Sequence, residues 1–128
     1  MGGRVVQGDL DEPVPSELRG HVDLLLANAP YVPTGAIGSL PPEARDHEPI
    51  VALDGGADGL DVLRRVVDIA PGWLAPGGHV LFETSDAQSG TMAAAVVEAG
   101  LTARVVRDDE TGATVVIGTA PHRPPARR

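Results

Sequence analysis

Three successive leucines, Leu24-Leu25-Leu26, with Val22 before them and Ala27 after, restrict the fold of this chain more than any other stretch. A run without polar alternation cannot keep one face in water. It therefore predicts a strand over about residues 22–28 covered on both faces, as in a parallel sheet flanked by helices, and so an α/β fold. The strand runs directly into Asn28-Ala29-Pro30-Tyr31. In open α/β sheets, ligands bind beyond the carboxyl ends of strands, which places these four residues where chemistry is expected.

The rest of the chain supplies partners for that strand. Residues 3–7 read as a short strand closed by Gly8-Asp9-Leu10, and Pro13 and Pro15 limit the following stretch to about one helical turn. From Ala29 to Ala57 no period persists. Pro30, Pro33, Pro41, Pro42 and Pro49 exclude a long helix there, and loops of such length usually serve function or are disordered. Leu60, Leu63, Val66, Val67 and Ala70 recur at helical spacing and predict a helix over 58–70, with Asp58 as its cap and Asp61 paired to Arg65. Pro71-Gly72 is expected to end or kink it.

Pro76-Gly77-Gly78 reads as a tight turn into a strand over 79–84. A second helix is expected over 87–99, with Met92, Val96 and Val97 inward and Gly100 as its stop. Residues 102–107 and 113–119 read as strands joined in a hairpin by Asp108-Asp109-Glu110-Thr111-Gly112. One domain over 1–120 and a disordered basic tail over 121–128, rich in proline, complete the organisation.

Composition narrows the class. At 128 residues the chain suits one domain with a core, and no apolar run approaches a membrane span. Cysteine is absent, which excludes disulfides, thiolate nucleophiles and cysteine zinc sites. His21, His47, His79 and His122 show no paired ligand spacing, so no metal is expected. A net charge of -8 repels a phosphate backbone and disfavours nucleic acid as partner of the domain body. With no signal peptide or myristoylation motif at the start, a cytoplasmic location is expected.

Asn28-Ala29-Pro30-Tyr31 is the sharpest constellation. An amide nitrogen is a poor nucleophile because its lone pair is delocalised, so a site must orient the NH₂ and favour the charge that builds as the new bond forms. The Asn28 side-chain oxygen and the backbone carbonyl of Ala29 can each accept one N–H. Tyr31 offers an aromatic face to the developing positive charge, and Pro30 restrains Ala29 towards extended backbone. Such positioning can contribute up to roughly 7–11 kcal/mol. On four residues alone, an ordinary strand end with a proline-containing turn is the simpler reading.

Several blocks in order change that balance. Asp23 to Pro33, then Glu43-Ala44-Arg45-Asp46-His47-Glu48-Pro49, then Ala52 to Leu60, then Leu74-Ala75-Pro76-Gly77-Gly78 resemble the catalytic part of the HemK/PrmC family. These are S-adenosylmethionine-dependent protein-(glutamine-N5) methyltransferases, and the resemblance covers about residues 3–119. It implies a partial class I, Rossmann-like methyltransferase fold, mostly parallel with an antiparallel last strand. It also implies a protein substrate such as a peptide chain release factor. Asn28, Ala29, Pro30 and Tyr31 would hold the substrate amide, with Asn28 and Tyr31 catalytic. Asp9, at the end of the first strand, matches the position that commonly contacts the cofactor's adenine, and Asn28 would also face the cofactor.

Two departures from the family pattern follow. The usual Asn-Pro-Pro-Tyr is here Asn-Ala-Pro-Tyr, a form associated with a PrmC-related subgroup; the contact at position 29 is made by backbone, so alanine keeps the acceptor. The glycine-rich cofactor loop and the ribose-binding acid would precede Gly3. In the sheet order 3-2-1-4-5-7-6 the chain then supplies strands three to seven and lacks the first two. The chain is therefore expected to be a fragment with impaired or no activity alone, and the leucine strand an exposed edge prone to self-association.

Other readings stay open. An adenine amino-methyltransferase on nucleic acid uses a similar motif, and a non-catalytic module could dock through the open edge. Glu83 could face the same cleft, Arg45 and Glu48 could fold the long loop, and Asp54-Gly55-Gly56-Ala57-Asp58-Gly59 is more simply a turn than an anion cradle.

Overall fold

The computed structural model describes residues 3–31 and 59–122. A short 3₁₀ turn (Ser16–Leu18) precedes strand β1 (Val22–Ala27), helix α1 (Asp61–Trp73), strand β2 (Leu74–Thr84), helix α2 (Asp86–Glu98) and strands β3 (Thr102–Arg107) and β4 (Thr114–Thr119). The four strands form one sheet in the order β1-β2-β4-β3. β1 and β2 are parallel, while β4 runs antiparallel to both β2 and β3. Three strands thus share one direction and β4 opposes them, giving the α/β fold with a mixed sheet in which the last strand is the reversed one.

Both helices pack on one face of this sheet. Val80, Phe82 and Thr84 of β2 and Thr114, Val116 and Gly118 of β4 are buried on that face, against Leu63, Val66, Val67 and Ala70 of α1 and Met92 and Val96 of α2. Leu25 and Ala27 lie opposite Val80 and Phe82 in register and join this side. Leu24 and Leu26 lie opposite His79 and Leu81 on the other side, where they are 62% and 72% exposed. The expectation that β1 is covered on both faces therefore fails. An uninterrupted apolar run does not reveal which elements lie over each of its two faces.

The first strand is also corrected. Residues 3–7 adopt no regular structure. They are exposed, and it is the stretch after them, Asp9 to Gly20, that is fastened to α1. Asp9 pairs with Arg65 at 2.9 Å, Asp11 accepts a 2.9 Å hydrogen bond from the Trp73 indole, and Gly20 N–H donates to Gly72 C=O. The Arg19 guanidinium stacks 4.5 Å from the centre of the Trp73 ring. Arg65 is thus engaged with Asp9 rather than Asp61, whose nearest partner is Arg64 at 3.8 Å.

α1 begins later than expected and runs past Pro71-Gly72 to Trp73, which continues its buried side. Leu60 is its N-cap and provides no side-chain hydrogen bond; Asp58, the expected cap, lies outside the described residues. Pro71 stands inside the last turn without ending the helix. Its missing N–H removes one bond to Val67, but Leu74 N–H still reaches Ala70 C=O. The chain passes from Trp73 straight into β2. There Val22 pairs with Leu74 and Leu24 already with His79, so the step through Pro76-Gly77-Gly78 is an irregularity inside a strand rather than a turn before one.

α2 is capped more firmly. Ser85 Oγ accepts from Gln88 N–H and the Gln88 side chain accepts from Ser85 N–H, a reciprocal capping box. Gly100, at φ +93°, supplies the left-handed residue that stops the helix. Met92 and Val96 point inward as expected, but Val97 is 58% exposed, because one residue's rotation carries it off the buried stripe. β3 and β4 form the expected hairpin, with Asp108 accepting from Glu110 N–H and the Thr111 hydroxyl in its turn.

Candidate active site

β1 and β2 run side by side up to the pairing of Ala27 with Phe82. Beyond it, Asn28-Ala29-Pro30-Tyr31 leaves the sheet at the strand's carboxyl end. Two anchors hold this turn. Ala29 and Tyr31 are half-buried and pack against the hydrophobic core. Gln88, in the first turn of α2, donates through Nε2 to the Tyr31 carbonyl at 2.8 Å. The same side chain accepts the Ser85 N–H through Oε1 at 3.0 Å, and Ser85 follows directly on β2. The strand end, the β2–α2 junction and the helix cap are thereby one connected unit.

Within that unit Asn28 is exposed, and among the described residues no hydrogen bond occupies its side-chain amide. Its oxygen is free to accept. Partial burial pushes the Tyr31 phenol above its usual value of 10.0, and the negative charge of Glu83 adds to the rise. The phenol is neutral at physiological pH. Glu83, at the end of β2, is therefore near enough for its charge to act on the phenol.

A groove of about 770 Å³ wraps the outer edge of β1 and meets this turn. Its lining includes Leu24 and Leu26 of β1, Val62, Val66 and Ile69 of α1, and Asn28, Ala29 and Pro30 of the turn. β1 is the outermost strand, so among the described residues its outer backbone edge pairs with no other strand.

Asn28, Ala29, Pro30 and Tyr31 thus form one anchored turn, and the charge of Glu83 acts on its tyrosine. Asp9 is not part of it. It lies in a turn rather than at a strand end, its carboxylate is taken by Arg65, and no described hydrogen bond ties it to the Asn28 turn. Arg45 and Glu48 lie outside the described residues. Gln88 was not among the site residues expected from the sequence. Its signal was present as Ser85-x-x-Gln88, the spacing of a capping box at a helix start.

No family model matches the chain. It is, however, 38% identical over 119 residues to a release factor glutamine methyltransferase of Geobacter sulfurreducens, an alignment that takes in 91% of this chain. The chain belongs to the release factor glutamine methyltransferase (HemK/PrmC) family. Further relatives are a release factor glutamine methyltransferase of Streptomyces coelicolor, 45% identical over 66% of this chain and 30% of its own length, and a ribosomal protein uL3 glutamine methyltransferase of Bordetella pertussis, 44% identical over 60% of this chain and 24% of its own length. The chain spans 41% of the length of the Geobacter relative. The mixed sheet with helices on one face is consistent with a methyltransferase fold. Among the described residues no helix is long and apolar enough to cross a membrane.

Proposed function

We propose that this chain carries the amide-holding half of a site that transfers a methyl group from S-adenosylmethionine to the N5 nitrogen of a glutamine in a protein. The observation that carries this reading is the Asn28–Tyr31 turn. It presents an unoccupied side-chain oxygen and a backbone carbonyl at a strand's carboxyl end, and the core and Gln88 hold it in place. Strand order and direction support the finer fold assignment, since β1-β2-β4-β3 with β4 reversed fits the last four strands of a class I, Rossmann-like methyltransferase sheet. Residues 1–120 are then the part of the catalytic domain that this chain contributes.

The chemistry follows from the acceptors. Asn28 Oδ1 and the Ala29 carbonyl each take one N–H of the glutamine amide and fix its plane. As the nitrogen's lone pair forms the new bond, both N–H groups become more acidic, and bonds to these acceptors strengthen in the transition state more than in the ground state. The neutral Tyr31 ring offers its face to the growing positive charge. The cofactor's contribution is an electrophilic methyl group on a sulfonium.

The fit of the described residues to that cofactor is partial. Asn28 is the residue that would face its reacting end. The candidate for adenine, Asp9, is already ion-paired to Arg65, and the described residues form no strand–glycine loop–helix unit for the remainder. Accordingly, little or no transfer is expected from residues 1–120 acting alone.

The relatives' names divide between a release factor and ribosomal protein uL3, and agree on glutamine. The substrate class proposed is therefore a glutamine side chain in a protein of the translation apparatus, at work in the cytoplasm. A chimera in which this chain replaces the matching part of the Geobacter relative tests the reading. It should methylate that relative's release factor, and Asn28→Ala should lower kcat about 100-fold or more, as for loss of one transition-state acceptor. A chimera that stays active with Asn28→Ala within threefold would overturn it.

A further inference from the structure

The geometry points to Gln88 as the positioning residue of the amide site, a role that rests on the amide-holding reading of Asn28 and Ala29. Towards the described residues its side chain makes contacts of opposite sense. Oε1 accepts the Ser85 N–H at 3.0 Å, which closes the cap of α2, and Nε2 donates to the Tyr31 carbonyl at 2.8 Å across 57 residues of sequence. A glutamine can accept and donate at once because its amide carries both groups. Glutamate, with the same reach, can only accept while ionised.

The consequence is geometric. Tyr31 is separated from the Ala29 acceptor by Pro30 alone, whose ring fixes its own φ and biases Ala29 towards extended backbone. Fixing the Tyr31 carbonyl therefore narrows the orientations open to the Ala29 carbonyl and to the backbone that carries Asn28. With Asn28 exposed and no described hydrogen bond on its side chain, the aim of the site depends on this backbone clamp. Gln88 need not touch the substrate; it acts through Tyr31.

Two substitutions separate the roles. Gln88→Glu keeps the acceptor for Ser85 N–H and puts a favourable charge at a helix start, so α2 persists. It removes the donor to Tyr31 and sets a carboxylate against that carbonyl. Ser85→Ala does the converse: it deletes the Oγ that accepts from Gln88 N–H at 3.3 Å, and leaves both of those contacts of the Gln88 side chain in place.

The composition makes the readout direct. Asn28 is the sole asparagine and Tyr31 the sole tyrosine, and Gln7 and Gln88 are the only glutamines. In ¹⁵N-labelled full chain, Gln88→Glu should shift the Asn28 side-chain NH₂ pair and the Ala29 and Tyr31 amides to their positions in denaturant, with amide exchange at Met92 and Val96 unchanged. Ser85→Ala should speed exchange in α2 and leave Asn28 in place. Propionamide, the side chain of glutamine in isolation, should bind the glutamate variant roughly 2–10-fold more weakly than the wild type, as for one lost hydrogen bond. Unchanged Asn28 and Tyr31 signals in Gln88→Glu would overturn the proposal, as would their loss only in step with α2. Absence of any propionamide shift in the wild type would instead refute the amide-holding reading, while the spectra of the two variants still decide whether Gln88 sets the turn.

Discussion

The approach of β1 to β2 can be tested with one methyl group placed at two glycines. Gly78 sits in the irregular step of β2, where an added Cβ would lie 2.6 Å from the Val22 carbonyl and 2.9 Å from the Ala75 carbonyl. Both are backbone atoms, so neither can swing aside. The φ of Gly78 is not in the left-handed region, which means that alanine suits its conformation and would restrict the unfolded chain, a gain of about 0.4–1 kcal/mol. Against this, overpacking costs about 1–3 kcal/mol, at the upper end here because two strands must part to relieve it. The overlap wins, and Gly78→Ala should destabilise by about 1–2 kcal/mol.

Gly90, in the middle of α2, provides the control. An added Cβ meets nothing within 4 Å, so the same substitution should stabilise by about 0.5–1 kcal/mol. Urea unfolding followed by the fluorescence of Trp73, the only tryptophan and a buried one, should give midpoints displaced in opposite directions from the wild type. In thermal scans the two variants should differ by roughly 6–12 °C. A Gly78→Ala protein as stable as wild type, beside a stabilised Gly90→Ala, would refute the close approach of the two strands.

Two further outcomes are expected. Because Tyr31 is the only tyrosine, its ultraviolet difference spectrum on raising pH reports one phenol; it should ionise above the ordinary 10.0, and Glu83→Gln should bring it partly back. The unfolded chain then loses this proton before the folded one, so the contribution to stability is whole below about pH 10 and declines as pH rises through the folded pKa, measurable as a fall in the urea midpoint over that window. Asp9→Asn breaks an ion pair whose partners are both more than half exposed, and should change stability by no more than about 1 kcal/mol; a larger loss in urea unfolding would show that the segment before β1 depends on this pair.

The sequence disclosed those parts of the fold that local chemistry decides. The stripe of Leu63, Val66, Val67 and Ala70 faces the core as its spacing requires, Gly100 stops α2, and the acidic turn joins β3 to β4. The site turn was legible too, since a proline and a polar amide after an apolar run mark a strand's carboxyl end. What escaped were decisions made at a distance. Nothing in Gly3 to Gln7 says that these residues stay unpaired and exposed while Asp9 and Asp11, just after them, are fastened to α1. Nothing in three leucines says which of them meets a helix. Gln88 was hidden for a related reason: its first partner, Ser85, is three residues away and visible in sequence, while its second, Tyr31, is a contact only the folded sheet creates.

That double use of Gln88 limits which changes the chain can accept together. α2 places Met92 and Val96 in the core from the same short cylinder that aims Gln88 at Tyr31. Successive residues are offset by about 100° around a helix, so turning α2 by one position to accommodate a different core side chain would carry the glutamine away from the turn. Substitutions in the core are therefore filtered twice, once for volume and once for the heading they impose on the helix. Homologous chains should then vary freely at exposed positions of α2 such as Val97, while exchanges at Met92 and Val96 keep the helix's rotation and adjust only its filling.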